Sequence, residues 1–127
     1  MTRDEFNRLC ADLPATSHVV QWGGSDVWKV GDKVFAIGGE IEGRLTVTFK
    51  ASDIAFEVLG AAPGLRPAPY MASRGLKWIQ DYAEPGLSDP DLAEHIRLSW
   101  RLVAQGLSRK KRAAFGIDLS AQAGDQT

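Results

Sequence analysis

Four short strand-like segments, separated by glycine turns, follow one another between residues 17 and 50. The segments are Ser17–Trp22, Asp26–Val30, Lys33–Gly38 and Arg44–Lys50. In the last of them Leu45, Val47 and Phe49 alternate with polar residues, a period of two that is typical of a strand with one buried face. Short glycine-containing loops between such segments favour hairpins. The sequence therefore predicts a four-stranded antiparallel meander.

Three helices are predicted around the meander. A capping box, Thr2-x-x-Glu5, opens the first helix, near residues 3–12. Ser52 is the expected N-cap of the second helix, residues 52–59, whose buried face we expect to comprise Ile54, Ala55, Val58 and Leu59. Ser88-Asp89-Pro90 opens the third, residues 89–106, with Asp89 as the cap and Pro90 as the first helical residue.

A fifth strand completes the predicted sheet. The segment 61–75 contains three prolines and two glycines and is predicted to be an irregular loop, and Leu76–Gln80 follows it as a short strand. The order α-β-β-β-β-α-β-α predicts one α+β domain over residues 1–118. Its core is a five-stranded, mainly antiparallel bent sheet with three helices. Residues 119–127 have little apolar content and are predicted to be a flexible tail.

The sequence lacks the residue patterns of the common catalytic and cofactor sites. It contains one cysteine and two histidines, too few for a zinc site. Its glycine segments match neither dinucleotide nor phosphate loops, and Gly-x-Ser-x-Gly is absent. We interpret His18 and His95 as structural or solvent-facing, and Cys10, on the apolar face of the first helix, as a core residue. We expect no catalytic residue, metal or cofactor, and therefore a protein that is not an enzyme.

The N-terminal residues and the apolar runs bear on location. The opening MTRDEFNRLC has no apolar region of the kind found in signal peptides. No apolar run approaches the roughly 20 residues that span a bilayer. A single cysteine cannot form an intramolecular disulfide, which fits a reducing compartment. We expect a cytoplasmic protein without membrane contact.

Charge is distributed unevenly along the chain although the net charge is only −1. No acidic residue occurs between Arg97 and Arg112, and this segment ends in the basic run 109–112. Such asymmetry is typical of an interaction surface. An alternative is that basic residues simply favour the C-terminal end of a helix, where they meet the negative end of its dipole.

Several segments resemble one family of small bacterial proteins. They are WGGSDVWKVGDKVFA at 22–36, RPAPYM at 66–71 followed by Lys77-Trp78, SWRLV at 99–103 and LSRKK at 107–111. In this order, over about residues 1–116, they resemble the MmcQ/YjbR-like family. Ser99-Trp100 stands where that family usually has Ser-Tyr. The resemblance implies an α+β fold with helices on a strongly bent antiparallel sheet, similar to secretion-chaperone-like folds. It also implies DNA binding, since members are commonly labelled so because two hairpins resemble wings.

Two basic segments are the candidate DNA-binding residues. Phosphate binding requires Lys and Arg side chains that converge on one surface. The candidates are Arg66, Arg74 and Lys77 around the proline-rich loop and Arg109, Lys110, Lys111 and Arg112 near the end of the last helix. The expected wing tips argue against the wings, because they carry Asp32, Glu40 and Glu42, whose carboxylates repel phosphates.

Two other functions remain open on the sequence. A protein-interaction or homodimerisation module without DNA binding is favoured by Leu98 and Leu102, which lie off the main apolar stripe of the last helix. A small-ligand site is favoured by four aromatic residues, Trp22, Trp28, Tyr70 and Trp78. The alternative for these aromatics is core packing, their commonest role in a small domain.

Overall fold

A computed structural model describes residues 1–119 of the 127-residue chain as an α+β domain. The elements, in chain order, are α1 Arg3–Ala11, β1 Thr16–Gln21, β2 Ser25–Val30, β3 Lys33–Ile41, β4 Arg44–Lys50, α2 Asp53–Leu59, β5 Leu65–Pro67, a 3-10 turn Ala72–Arg74, β6 Trp78–Asp81, α3 Asp89–Gln105 and α4 Arg109–Ala114. Every strand pairing is antiparallel, in the order β1-β2-β3-β4-β6-β5.

The predicted meander is present, and its turns follow from local geometry. Glu42 and Gly43 join β3 to β4 with φ of 50° and 80°. Positive φ at both central residues is the signature of the two-residue hairpin turn whose twist matches that of the flanking strands. The β2–β3 turn, at Gly31 and Asp32, is equally short, and Gly31 N donates to Ala15 O at 3.0 Å. Four consecutive strands therefore form by local pairing.

Helices α1 and α3 bury the core side of the sheet. Phe6 of α1 is fully buried, and a Cβ built on Gly38 would lie 2.6 Å from its ring, so glycine at that position lets the helix approach the strand. Ser99 of α3 is also fully buried. Cys10 has no exposed surface, which confirms its core position, and burial raises the pKa of its thiol.

The class is as predicted, but the element count is wrong: the described residues form six strands and four α-helices, where five and three were expected. Leu65–Pro67 pairs with β6 as a three-residue strand inside the segment predicted to be a loop. Pro67 does not prevent this because an edge strand needs few donors. The basic run, for which no helix was predicted, forms a separate helix, α4, after a break at Gly106.

The predicted buried face of α2 is also wrong at two positions. Ile54 is 79% exposed and Val58 is 66% exposed. The helix instead turns Ala55, Phe56 and Leu59 toward the core. A seven-residue helix such as α2, which packs against β5 and β6, can be rotated about its axis without losing its backbone hydrogen bonds, so its apolar pattern does not fix its orientation.

The C-terminal limit of the packed domain lies slightly beyond the predicted one. Leu119, expected in the tail, packs against the core with Ile117, which is 8% exposed. The rest of the expected tail, residues 120–127, lies outside the described residues. No helix within residues 1–119 combines the length and the apolar character that a bilayer crossing demands.

Candidate nucleic-acid interface

The strand register gives the sheet two distinct ends. The β2–β3 turn, the last residue of β4 (Lys50) and the first residue of β6 (Trp78) lie at one end. Helix α4 joins this end because Lys111 Nζ lies 2.7 Å from Asp32 Oδ2 in the β2–β3 turn. We call it the basic end. The β1–β2 and β3–β4 turns lie at the opposite end, which we call the hairpin end.

Two groups of cations lie at the basic end. The first is the α4 group, Arg109 to Arg112, and the second comprises Arg74 and Lys77 in the loop between β5 and β6. The β2–β3 turn and the β5–β6 loop are three strand positions apart in the sheet. With about 4.8 Å between strands, the turn next to α4 and the loop that carries Arg74 and Lys77 begin about 14 Å apart along the sheet. Residues separated by more than thirty positions in sequence therefore share one end of the molecule.

Within the α4 group the four side chains have different roles. Ser108 caps the helix by accepting a hydrogen bond from Lys111 N at 3.1 Å. Arg109 and Lys110 are exposed and make no hydrogen bond or ion pair with any other part of residues 1–119. Lys111 pairs with Asp32, and this hydrogen bond lowers the pKa of the Asp32 carboxyl. Both partners are half-exposed, so water and salt weaken the pair.

Arg112 stabilises the fold by hydrogen bonds to the backbone. Its Nη1 donates to the carbonyl oxygens of Gln105 at 3.3 Å and Leu107 at 3.2 Å, at the C-terminal end of α3. These carbonyls have no partner within the helix, so the guanidinium satisfies them and anchors α4 beneath α3. Arg112 is better suited to holding the α4 group in place than to contacting a ligand.

In the second group, too, one cation is unpaired and the other is paired. Arg74 is exposed at the end of the 3-10 turn and has no ion pair among the described residues, whereas Lys77 Nζ lies 3.1 Å from Asp53 Oδ1. Arg66, predicted alongside them, lies elsewhere. It projects from β5 on the face opposite the buried Leu65, donates to Gln80 at 2.8 Å and stacks 4.1 Å from the Tyr82 ring centroid.

Three further cations at the basic end were missed by sequence reasoning: Lys33, Lys50 and Arg101. Lys33 begins β3 beside the turn, and Lys50 ends β4. Arg101, in the last turns of α3, lines the same groove as Lys50. Their common location depends on the strand register and on the direction of α3. The alternating pattern of β4 was the available signal, since it fixes where that strand ends.

The hairpin end carries exposed carboxylates at the β3–β4 turn. Glu40 and Glu42 lie at the β3–β4 turn, and both side chains are exposed. The β1–β2 turn is at the same end. The two expected wing tips therefore lie at opposite ends of the sheet: the β3–β4 tip is far from α4, whereas the β2–β3 tip carries Asp32, which pairs with Lys111. The α4 cations cannot share a surface with the β3–β4 tip.

A buried carboxylate, missed in the sequence, joins α1 to the first hairpin. Asp26 is 2% exposed, and it accepts hydrogen bonds from Arg3 Nε at 2.5 Å and Arg3 Nη2 at 3.2 Å. His18 Nε2 lies 2.8 Å from Asp26 Oδ1, the oxygen that also accepts from Arg3 Nη2. Burial alone would raise the pKa of Asp26, but the hydrogen bonds from Arg3 and His18 outweigh it, so the pKa lies below its ordinary value. This network explains His18 as a structural residue.

The Asp26 network gives an expected pH dependence of stability. A folded-state pKa below the unfolded value means that the ionised carboxylate stabilises the fold above about pH 4 and that this contribution disappears as the pH falls through the folded-state pKa. Asp26→Asn should lower the free energy of unfolding by about 1–2 kcal/mol at pH 7, discounted because Arg3 is largely exposed. Urea unfolding at pH 7 and pH 3 should show the difference shrinking at pH 3. A difference that is equal at both pH values would contradict this reading.

The four aromatic residues do not line a common site. Trp28 is 7% exposed and Trp78 is 8% exposed, so core packing is confirmed for both. Trp22 lies in the turn at the hairpin end, and Tyr70 lies in the loop at the basic end. The ligand site built from all four is therefore wrong.

His95 stacks on Phe49 with ring centroids 5.4 Å apart, and burial lowers the pKa of the His95 imidazole.

Comparisons with known proteins agree on one family. The family model described as YjbR matches residues 11–102. A curated relative, the uncharacterized protein YbdF of Escherichia coli O157:H7, is 30% identical over 106 residues, which cover 81% of this chain and 84% of the relative.

Two solved structures share the fold. A Deinococcus radiodurans protein with a domain described as DUF419 matches with a TM-score of 0.78 and 21% identity, over 92% of this chain and 89% of that protein. A Pseudomonas syringae protein matches with a TM-score of 0.61 and 20% identity, over 80% of this chain and 98% of that protein. At these identities the likeness concerns the fold alone.

Proposed function

The chain belongs to the YjbR family, and from that premise we propose that it binds duplex DNA through the phosphate backbone, at the basic end and without a catalytic step. The common label of the family favours DNA as the partner. Cytoplasmic location is part of the same proposal, because a DNA partner requires access to that compartment.

The observation that carries the proposal is the common location of the two cation groups. The β2–β3 turn beside α4 and the β5–β6 loop begin about 14 Å apart along the sheet by strand spacing, and the major groove of B-DNA is about 12 Å wide. A spacing of this order would let one group contact the phosphates on one side of the groove while the other contacts those on the opposite side. Arg74, Arg109 and Lys110 need break no existing pair to do so.

Lys77 and Lys111 would join the interface by exchanging partners. Each is paired with one exposed carboxylate, Asp53 or Asp32, and exposed pairs contribute only about 0–1 kcal/mol. A phosphate can replace such a partner at little cost. The proposed contacts are all with phosphates, so the proposal is for binding with little sequence preference.

The test compares two double variants that remove the same charge. Arg109→Gln/Lys110→Gln removes two unpaired cations of the α4 group, and Arg8→Gln/Arg97→Gln removes two exposed arginines outside both groups. In salt titrations of duplex binding, the first variant should lower the log–log slope by about 1.8, because each phosphate contact contributes about 0.9. The control should bind like the wild type.

A further variant separates the basic end from the β3–β4 wing. If the tip of this hairpin approached DNA, Glu40→Gln/Glu42→Gln would strengthen binding by removing repulsion. With the interface at the basic end, we expect this variant to bind as the wild type does. Tighter binding by this variant, or equal weakening by both charge-matched double variants, would contradict the proposal.

A second candidate function is self-association through α2 and α3. Ile54 and Val58 are exposed on α2, Leu98 is 38% exposed on α3, and an apolar groove of about 240 Å³ lies between the two helices. Apolar side chains four residues apart on an exposed helix face are typical of contact with another helix. The occupant would be a second copy of this chain, without DNA binding. In sedimentation at high salt, a dimer that Ile54→Ser/Val58→Ser converts to monomer would support this candidate.

A further inference from the structure

A wide cleft opens at the hairpin end, away from the proposed DNA interface. Its volume is about 780 Å³, and it lies between the start of α1 and the β1–β2 and β3–β4 turns. Cavities of about 300–1,000 Å³ are the usual size of small-ligand sites. Glycines supply much of the wall, at positions 23, 24, 38, 39 and 43. The cleft is open because these residues place no side chains in it.

Trp22 stands at this cleft with its indole in solvent. It is 62% exposed, whereas Trp28, Trp78 and Trp100 are at most 8% exposed. Its φ is 53°, a left-handed conformation that costs a bulky residue about 1–3 kcal/mol. With most of its surface exposed, this aromatic is not explained by core packing. The exposed indole is accessible to a ligand in the cleft.

The cations around the cleft are already neutralised. Arg3 is bonded to Asp26, Arg44 is bonded to Asp81 and Glu84, and the amino group of Met1 lies 2.8 Å from Asp89 Oδ1. An anionic ligand would have to displace one of these carboxylates. The chemistry of the cleft is therefore unfavourable for a phosphate or a carboxylate.

Glu40 is the charged side chain of the cleft wall that no ion pair or hydrogen bond engages within residues 1–119, although its charge helps, after Asp26, to raise the pKa of the Arg3 guanidinium. It lies in β3, the strand next to β2, and Trp22 lies just before β2, so the two line the same cleft. A carboxylate beside an exposed aromatic face is a suitable pair for an ammonium or guanidinium group, which the ring attracts by a cation–π interaction.

We propose that this cleft binds a cationic ligand, a primary amine or guanidinium group seated on the Trp22 ring and paired with Glu40. The chemistry fits a free polyamine and a basic peptide segment equally, and the experiment separates the two. The site is independent of the DNA interface, since the cleft residues lie at the opposite end of the sheet. Failure of either proposal leaves the other intact.

The full chain is titrated with spermidine, with tetra-arginine and with tetraglutamate. Because Trp22 is the exposed indole among the four tryptophans, its fluorescence should change saturably with a cationic probe and remain constant with tetraglutamate. Dissociation constants near the millimolar range are expected for one cation–π contact and one exposed ion pair. Saturation by spermidine alone identifies a polyamine site, and saturation by tetra-arginine alone identifies a peptide site. Saturation by both probes identifies a site for amine and guanidinium groups in general.

Variants measured by calorimetry complete the test. Glu40→Gln should weaken binding about threefold to fivefold, the effect of one exposed pair, and Trp22→Leu should weaken it further and abolish the fluorescence change. Glu57→Gln removes an exposed carboxylate on α2, outside the cleft, and should bind as the wild type does. Unfolding curves confirm that each variant is folded. No response to either cationic probe, or equal affinity in Glu40→Gln and wild type, would overturn the proposal.

Discussion

Gly64→Ala is expected to lower the free energy of unfolding by about 3–5 kcal/mol, because the added methyl group overlaps backbone atoms. A Cβ on Gly64 would lie 2.1 Å from Ala83 O and 2.5 Å from Gly86 N. Neither atom belongs to a side chain that could rotate away. Gly64 O also accepts hydrogen bonds from Tyr82 N and Ala83 N, so relief of the overlap would disturb the chain where β5 meets β6.

Gly75→Ala is the matched control for this prediction. Gly75 has nearly the same backbone conformation, with φ of 77° against 82° for Gly64, but a Cβ there would meet nothing within 4 Å. This variant should lower the free energy of unfolding only by the cost of placing alanine in a left-handed conformation, about 1–2 kcal/mol. Denaturant unfolding of both variants measures the difference. Equal destabilisation would show that the backbone around Gly64 yields easily and that the overlap is not real.

Ser99→Ala is expected to lower the free energy of unfolding by about 2–4 kcal/mol, although it removes a single oxygen atom. The hydroxyl donates to Phe35 O at 2.6 Å and accepts from Lys50 N at 2.8 Å, and the side chain is fully buried. Phe35 lies at an irregularity of the β2–β3 pairing, where its carbonyl is out of the ladder. Removal of the hydroxyl leaves the buried Phe35 carbonyl and the partly buried Lys50 N–H without this partner.

Ser73→Ala is the control for the loss of a serine hydroxyl. Its Oγ donates to Tyr70 O at 2.8 Å, in an exposed loop where water can replace it. We expect a change within about 0.5 kcal/mol. Thermal and urea unfolding of both serine variants provide the comparison. A Ser99→Ala protein as stable as the wild type would mean that Ser99 does not connect α3 to the sheet as described.

The elements that local sequence determines were predicted well. The capping box is present, with Glu5 N donating to Thr2 Oγ1 at 3.1 Å and Thr2 N donating to Glu5 Oε1 at 2.9 Å. The start of α3 differs by one residue, since Ser88 caps it and accepts from Asp91 N. Alternation in β4 and the glycine turns predicted the meander because hairpins form between neighbours in sequence.

The elements that distant contacts determine were not predictable. A three-residue strand such as β5 has too few residues for a period of two to be visible, and it exists only because β6 pairs with it. The end of α3 was predicted within one residue, but α4 was missed although its N-cap, Ser108, is a local signal. The exposure of Ile54 and Val58 depends on how α2 docks, which its own seven residues do not determine.

The candidate interface shows the same division. The basic run at 109–112 and the cations at 74 and 77 were visible in the sequence, but their common end of the sheet follows from strand register and from the Lys111–Asp32 contact. Sequence alone also could not separate Arg112, bonded to helix carbonyls, or Arg66, stacked on Tyr82, from the cations that are free to bind. The Asp26 network could not be recognised in the sequence because Asp26 and its partner Arg3 are remote from each other along the chain.

The most direct test of DNA binding at the basic end is a salt titration of the wild-type chain with short duplexes of two unrelated sequences. The candidate contacts are Arg74, Lys77, Arg109, Lys110 and Lys111. If three to five of them reach phosphates, log K should fall with log salt at a slope of roughly −2.7 to −4.5, equally for both duplexes. Dissociation constants should be about 10⁻⁴ to 10⁻⁶ M near physiological salt. No association at low salt, where the electrostatic attraction is largest, would contradict the account.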